Sequence, residues 1–424
     1  MPVRETFGLV PPGTVSIFYL VFLPFAAVFA YGLWLRLGRS GLVLAILRGP
    51  EGLTGAVRRL LLNVFLQRRV GRRARGWPHL AIFSGFITLL LATTIVAIDW
   101  DIARPLGFRV LNGARYLYFE FIVDALGLIF VVGLTGALVW RLAKLRQAGQ
   151  DQRRVQYQFL ALTTVLLYLG VTGFLLESLR LIIRPTEWAN WSFVGAHLAA
   201  MLSGTGVEAI APTLYNWIWW AHGLVVFALI ASLPYTVFLH AGAAPLNVMA
   251  QPGKPRLELS TPFDLREVLE SGNFDVKPGI ATFADLEPEM RFAVQACTNC
   301  GRCDSVCPAF AMGTALSPRR LVQTLRKVML RGNTSDDVLT SKVITAEELW
   351  ACTSCAACVE ACPVFIRPVD YIIPFRRELV SRQILQKRQS DFLSNLGRSA
   401  NPYGLAAERR ALLAEELGSK LDSQ

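Results

Sequence analysis

The sequence predicts a mainly α-helical fold in which a bundle of five transmembrane helices precedes a smaller helical domain. Two observations carry this prediction. Residues up to about 245 contain repeated apolar stretches that are nearly free of charge, whereas all eight cysteines lie beyond them. The second part of the chain also contains no long alternating run of the kind that forms a sheet. A chain of 424 residues is long enough for more than one domain.

Composition shifts and prolines divide the chain further. We expect the transmembrane bundle over 1–245 and a linker over 246–290, and Pro245, Pro252 and Pro255 indicate extended backbone there. A cysteine-rich domain follows over 291–380, with a helical insertion from Pro318 to Arg331. Residues 381–424, rich in Glu, Arg, Leu and Ala, predict a helical tail.

Five apolar stretches have the length of about 20 residues that a transmembrane helix needs. They cover 15–36, 78–98, 119–140, 157–183 and 214–240. The first is too long for the apolar region of a signal peptide and has no basic region ahead of it, so we interpret it as a span. Residues 193–201, in the connection before the fifth stretch, predict a short re-entrant or surface helix.

Arginine placement predicts the topology. Residues 36–76 contain ten arginines against the single acid Glu51, and the connection between the third and fourth stretches is also basic. By the positive-inside rule, both connections are cytoplasmic. The N-terminus would then lie outside, and the cysteine-rich domain would lie in the cytoplasm. Topology therefore accounts for the net charge of +12 without nucleic-acid binding.

The basic connection 40–76 alternates apolar residues with arginines. This pattern indicates an amphipathic helix lying on the cytoplasmic leaflet. An ordinary solvated charged loop explains the composition equally well, so both interpretations stay open.

The cysteines form two copies of one spacing, C-x2-C-x2-C-x3-C-P, which is typical of proteins with two [4Fe–4S] clusters. Structural zinc usually takes separate pairs of cysteines, and disulfides need an oxidising compartment, so neither fits well. In this spacing the fourth cysteine, carried onto the start of a helix, points to the other cluster. The predicted cluster ligands are therefore Cys297, Cys300, Cys303 and Cys362 for one cluster, and Cys352, Cys355, Cys358 and Cys307 for the other.

All four histidines lie in the apolar part, where ionisable residues are costly and usually functional. His79 opens the second stretch and His240 ends the fifth, both at the cytoplasmic end, so we predict that they are the axial ligands of a heme b. His222 lies 18 residues before His240, which is five turns of a continuous helix. His222 either shares a second heme with His197, lines a quinone pocket or bonds a neighbouring helix. The alternative for all four histidines is that they satisfy backbone or interface hydrogen bonds.

Acidic residues near the outer ends of the spans have two interpretations. Glu120, Asp124 and Glu177 could assist protonation at a quinone site. Alternatively, they form ion pairs with arginines such as Arg115 or Arg180.

The order of these motifs resembles known membrane proteins. The five helices and the histidine pattern resemble the gamma subunit of respiratory nitrate reductase, although that family has two histidines on its second helix. The segments PHLAIFSGF, WWAHGLVVFALIASLPYTVFLH, CTNCGRCDSVCP and CTSCAACVEACP resemble membrane-bound iron–sulfur reductases related to heterodisulfide reductase, including the electron-transfer-flavoprotein:menaquinone oxidoreductases.

The resemblance implies an electron-transfer subunit of a quinone oxidoreductase in a respiratory chain of the cell membrane. Electrons would pass between a cytoplasmic donor, two clusters, heme b and quinone. Those relatives continue into cysteine-rich CCG repeats, whereas this sequence has no cysteine after Cys362. We therefore expect a separate CCG-domain subunit or an electron-transfer flavoprotein as the partner. The alternatives are a membrane anchor or assembly platform, and a transporter, which the lack of inverted repeats disfavours.

Overall fold

The fold is mainly helical, as the sequence predicts. The structure is a computed structural model, and it describes residues 2–4, 7–11, 13–37, 52–72, 74–147, 150–250, 258–259, 263–385, 387–406, 408–409, 411–412 and 414–416. Within these ranges there is no β-strand, and two isolated bridges pair Val3 with Asn112 and Thr282 with Asp337. The chain divides into two compact units, Met1–Pro252 and Gly253–Gln424.

The first unit contains the apolar helices. Its α-helices are α1 (Thr14–Leu37), α2 (Gly52–Leu60), α3 (Arg68–Gly71), α4 (Trp77–Ile98), α5 (Gly113–Gln147), α6 (Gln150–Ile183), α7 (Phe193–Leu202), α8 (Val207–Ser232) and α9 (His240–Ala250). Five of those described, α1, α4, α5, α6 and α8, belong to segments that are long and apolar enough to cross a membrane. The predicted number of spans is confirmed, and the predicted short helix at 193–201 is α7.

Close approach of helix backbones holds the centre of the bundle together. Phe130, Leu134 and Leu166 are buried between α4, α5 and α6. At Gly85 on α4, an added Cβ would lie 2.4 Å from the Cβ of Phe130. Glycine is therefore required where α4 meets α5, because any side chain would force the two helices apart.

The basic connection between the first two spans is largely helical where the structure describes it. The predicted amphipathic segment lies partly outside the described residues, over 38–51. Beyond that, α2 continues into a π-helical turn over Leu61–Phe65, and α3 follows. Arg59 on α2 donates from Nη2 to the carbonyl oxygen of Met249 on α9 at 3.0 Å. This segment is therefore helical and packed, which favours the helix over the solvated loop.

The last span is interrupted, which corrects the prediction that His222 and His240 share one continuous helix. Helix α8 ends at Ser232, and a 3₁₀ turn containing Pro234 follows. Thr236 is extended, with a ψ of 178°, and its hydroxyl accepts a hydrogen bond from the N–H of Phe238 at 3.3 Å. Proline removes a backbone donor and threonine caps a new helical turn, so the helix stops and restarts. The five-turn relation between the two histidines does not hold.

The boundary between the units lies later than the predicted end of the bundle. Helix α9 runs from His240 to Ala250, so the first residues assigned to the linker are helical. Asn247 and Val248 are buried on the first unit. Pro245 lies inside α9, where it removes one backbone donor without ending the helix.

The second unit consists of short helices around the cysteine motifs. They are α10 (Leu265–Ser271), α11 (Pro288–Ala293), α12 (Pro308–Ala311), α13 (Pro318–Arg331), α14 (Ala346–Trp350), α15 (Ala357–Ala361), α16 (Pro368–Ser381) and α17 (Lys387–Ser399). The predicted insertion is α13. Ser317 caps it by accepting from the N–H of Arg320, and Gly332 ends it in a left-handed conformation with φ 78°.

The predicted helical tail is present in part. Helix α17 covers Lys387–Ser399 and contains no buried residue. Asn401 then forms a turn by bonding the backbone of Tyr403 and Leu405.

Candidate iron–sulfur and histidine sites

Cysteines of both motifs come together in the second unit. A recess that opens to solvent is lined by five of them. These five are Cys297, Cys300, Cys303, Cys358 and Cys362. The fourth cysteine of the second motif therefore lies with the first three of the first motif, and Cys358 of the other predicted set lines the same recess.

The electrostatic neighbours of the buried thiols fall into two groups. Burial raises the pKa of Cys362 to about 12, and Cys297 and Cys300 add to this effect. Burial likewise raises the pKa of Cys358 to about 12, with Cys352, Cys307 and Cys355 adding to it. These neighbours are the members of the predicted crossed sets. Which thiols hold which cluster stays a prediction.

The donor set fits iron–sulfur clusters. Thiolate is the form that binds iron, so cluster assembly must release the protons that burial holds on these sulfurs. Among the described residues, no three His, Cys, Asp or Glu side chains converge as ligands of a single metal ion. A cubane does not need such convergence, because each of its thiolates binds a different iron corner.

The two cysteine loops have the same backbone conformation. Asn299 and Gly301 in the first loop have φ of 57° and 77°, and Ser354 and Ala356 occupy the same positions in the second with φ of 55°. Left-handed residues in these places turn backbone N–H groups toward sulfur, as for Ser354 N to Cys352 Sγ at 3.3 Å. Amide donors of this kind stabilise thiolate.

The fourth cysteines differ in their local structure. Cys307 directly precedes α12, as predicted for a cysteine at the start of a helix. Cys362 instead follows α15, and the next helix begins only at Pro368. The helix prediction is therefore wrong for Cys362. The chain turns at Phe365, with φ 62°, and the N–H of Ile366 lies 3.3 Å from Cys362 Sγ.

All four histidines of the first unit direct Nδ1 at an oxygen atom. His79 Nδ1 lies 2.9 Å from Gln67 Oε1, and His222 Nδ1 lies 2.8 Å from Thr172 Oγ1. His197 and His240 bond the carbonyl oxygens of residues in the preceding turn, both at 2.6 Å. A carbonyl oxygen only accepts, so in these two rings Nδ1 carries the proton and Nε2 has a lone pair.

His222 contacts a hydroxyl rather than a carbonyl. The hydroxyl of Thr172 lies 2.7 Å from the carbonyl oxygen of Tyr168 and 2.8 Å from His222 Nδ1. When it donates to Tyr168, its oxygen accepts from His222 Nδ1. Histidines that ligate a metal characteristically have one ring nitrogen bonded in this manner. Sequence patterns provide no direct signal for Thr172 or Gln67, because threonine and glutamine are common in helices and turns.

The histidines lie on elements that pack at two places. His79 is on α4, which contacts α3, while His240 opens α9, which contacts α2 and the π-helical turn between α2 and α3. His197 is on α7 and His222 on α8, and both of these helices pack against α6. These contacts link each helix to a shared neighbouring region and not directly to the helix of its predicted partner, so the ligand pairs stay predictions.

The acidic residues Glu120 and Asp124 near the start of α5 are both hydrogen-bonded. Glu120 accepts from Arg4 at 3.0 Å, from Arg180 at 3.2 Å and from Ser192 Oγ at 2.5 Å. Asp124 accepts from the N–H of Val194 at 2.7 Å, at the start of α7. The ion-pair interpretation is therefore right for Arg180. Arg115 instead bonds Asn112 at 2.7 Å.

The comparisons concern the iron–sulfur part of the chain and its overall similarity to known proteins. Residues 293–366 match the family model described as a 4Fe-4S dicluster domain. The chain is 25% identical to an "EtfAB:quinone oxidoreductase" of Syntrophomonas wolfei over 94% of its own length and 59% of the relative's. It is 28% identical to the "Probable iron-sulfur-binding oxidoreductase FadF" of Bacillus subtilis, over 82% and 53% of the two chains.

Shorter similarity extends to the methanogens. The chain is 39% identical to an iron–sulfur component of the CoB–CoM heterodisulfide reductase of Methanopyrus kandleri, over 20% of this chain and 40% of that one. The predicted resemblance is confirmed, and the similarities indicate a membrane-associated iron–sulfur oxidoreductase of electron transfer. The chain spans little more than half the length of the first two relatives. No solved structure matches it.

Proposed function

We propose that the chain is the membrane electron-transfer subunit of a quinone oxidoreductase. Two [4Fe–4S] clusters and heme b, when bound, supply one-electron chemistry between a donor protein and membrane quinone. The polypeptide holds and insulates these groups.

In the second unit, thiolates would be the cluster ligands. The grouping of thiols around the recess supports one set formed by Cys297, Cys300, Cys303 and Cys362, and a second formed by Cys352, Cys355, Cys358 and Cys307. Backbone N–H groups beside the sulfurs favour the thiolate form. The surrounding apolar residues limit access of water, which tunes the potential of a cluster.

The orientation of the histidines is the observation that carries the heme proposal. Each Nδ1 contacts an oxygen atom, so a bond from any of these rings to heme iron would be made by Nε2. His79 and His240 would be the axial ligands of one heme, and His197 and His222 those of a second. A structural anchor alone has no need for this shared orientation.

Topology and partners follow from charge and similarity. The basic connections support a cytoplasmic location of the iron–sulfur unit and an outer N-terminus. The name of the Syntrophomonas relative supports an electron-transfer flavoprotein as donor and quinone as acceptor. A separate CCG-domain subunit is the alternative donor.

Cofactor content tests the proposal. Heme is measured by pyridine hemochrome, and non-heme iron by a chemical assay, per purified full-length polypeptide. Two hemes with the iron of two cubanes would support both histidine pairs, and a single heme would confine ligation to one of them. Absence of heme would refute the cytochrome proposal. Reoxidation of the reduced protein by a soluble menaquinone analogue separates an electron-transfer subunit from an anchor.

A matched pair of variants tests His222 itself. Thr172 and Thr163 are both buried on α6, and each donates to the carbonyl four residues earlier. Only Thr172 bonds a histidine among the contacts described for the two. We expect Thr172→Val to weaken heme retention at the His222 site by about 10–100-fold, with Thr163→Val unchanged. Equal heme content in both variants would remove Thr172 from the site.

A further inference from the structure

In the second unit, the first cysteine of each motif is contacted by one arginine. Arg326, on α13, donates from Nη1 to the carbonyl oxygen of Cys297 at 3.0 Å. Arg376, on α16, donates from Nη2 to the carbonyl oxygen of Cys352. The two arginines lie on different helices, 29 residues after Cys297 and 24 residues after Cys352. Each nevertheless bonds the carbonyl oxygen of the first cysteine of its motif.

Both guanidinium groups are anchored by backbone rather than by acids. Arg376 also donates to the carbonyls of Leu349 at 2.8 Å and Trp350 at 3.2 Å, and it lies over the Trp350 ring at 5.2 Å. In the part of the chain that the structure describes, neither Arg326 nor Arg376 forms an ion pair with a carboxylate. Their positive charges are therefore not cancelled locally.

Two other arginines beside the motifs are paired with carboxylates. Arg319, which lines the recess, bonds Asp304 at 2.8 Å, and Arg367 bonds Asp370 at 2.6 Å. The pairing removes most of their long-range field. Arg326 and Arg376 differ from them in being partly buried without a countercharge, where water screens a charge less effectively.

We propose that Arg326 and Arg376 set the reduction potentials of the two clusters, each raising the potential of the cluster that its cysteine ligates. The inference rests on the proposed function, because it requires that both clusters bind. Reduction adds one electron to a cluster that four thiolates already make negative. A fixed positive charge nearby stabilises the reduced form more than the oxidised form, which raises the potential.

Arginine suits this role for two reasons. Its guanidinium stays charged throughout the physiological pH range, so the field does not vary with pH. Its planar fork can also bond several carbonyls at once, which fixes the charge beside the loop. The carbonyl contacts thus make Arg326 and Arg376 positioning groups for charge rather than ligands of iron.

The test is an EPR-monitored redox titration of the purified full-length protein. Arg326→Gln should lower the potential of the cluster held by Cys297, and Arg376→Gln that of the cluster held by Cys352. Loss of one unit charge near a cluster changes the ratio of reduced to oxidised form by roughly tenfold, or about 59 mV for one electron. Lys327→Gln and Arg377→Gln remove the adjacent charge in the chain and should shift neither potential comparably.

Lysine variants separate charge from hydrogen bonding. Arg326→Lys and Arg376→Lys keep the charge and lose the fork, so each should retain a potential closer to wild type than its glutamine variant does. The inference would be overturned by a lysine variant that contains its cluster but has the same lowered reduction potential as the glutamine variant. A glutamine variant with an unchanged potential would also overturn it. The same holds if the glutamine and the lysine variant of one arginine both fail to load the cluster. A wild-type protein without two titrating clusters would instead refute the proposed function.

Discussion

Replacing Glu120 with alanine should destabilise the first unit strongly. Glu120 is 3% exposed and is contacted by Arg4, Arg180 and Ser192. Two of these partners are cations, and their desolvation is offset by this one carboxylate. In Glu120→Ala, Arg180 loses its bond to the carboxylate and keeps its contacts with Glu177 at 3.3 Å and with the Tyr116 hydroxyl at 3.1 Å.

The magnitude follows from the burial of the pair. Breaking a buried ion pair by removing one partner costs about 3–5 kcal/mol. Because Glu177 still contacts Arg180, and Arg4 is partly exposed, we expect the lower end, about 3 kcal/mol. For a unit of this size, that loss lowers the melting temperature by roughly 6–12 °C.

Thermal unfolding of the full chain in detergent, followed by circular dichroism at one fixed scan rate, measures this effect. Glu120→Gln keeps an acceptor for Ser192 and should lie between wild type and Glu120→Ala. Glu187 provides the control because it is an exposed glutamate in the connection between α6 and α7. Surface substitutions usually change stability by less than about 0.5 kcal/mol. A melting temperature of Glu120→Ala within about 2 °C of that of Glu187→Ala would refute the reasoning.

Three further predictions concern the second unit. Cys355→Ala should remove one cluster by iron analysis and EPR while the heme spectrum stays intact; loss of heme absorbance would show that the two units are not independent. Gly301 and Ala356 both have left-handed φ, so Gly301→Ala should destabilise the first loop by about 1 kcal/mol and Ala356→Gly should stabilise the second loop by a smaller amount. The temperature at which each variant loses its cluster measures both effects, and shifts of the same sign would contradict this prediction. Gly279→Ala places a Cβ 2.2 Å from the backbone nitrogen of Glu378 and should lower the free energy of unfolding by about 1–3 kcal/mol. Gly397→Ala has open space around the added Cβ, so thermal denaturation should show an unchanged or higher stability.

Much of the architecture could be predicted because its signals are local. Apolar length alone identified the five spans, and cysteine spacing alone identified the dicluster motif. The end of α13 was visible as Arg331 followed by Gly332, since glycine readily adopts the left-handed conformation that ends a helix.

The interruption after α8 could not be predicted with the same reliability. Pro234 is visible in the sequence, but prolines also occur inside spans, and α1 and α8 each contain one. What ends the helix is the extended Thr236 together with its cap on Phe238. That outcome depends on how the restarted α9 packs on α2, which is a contact distant in sequence.

The roles of the buried acids depend on distant contacts in the same way. Glu120 bonds Ser192, and Asp124 bonds the backbone N–H of Val194, so two carboxylates of α5 hold the beginning of α7. Composition indicated only that arginines and acids coexist near the same ends of several spans. Which arginine pairs with which acid required the helix packing, because Arg115 and Arg180 are equally plausible in the sequence.

The recess that joins Cys303 to Cys362 has a consequence for biosynthesis. In the proposed set of Cys297, Cys300, Cys303 and Cys362, a ribosome that has released only the first motif would present three thiols, and the fourth would emerge later, after α13 and α14 have been made. Bringing Cys362 to the first motif closes a loop of the intervening residues, and this loop closure costs conformational entropy before the cluster has all four ligands. Cluster insertion should therefore follow translation of the second motif rather than accompany the first. A nascent chain arrested between the motifs would leave its cysteines open to oxidation.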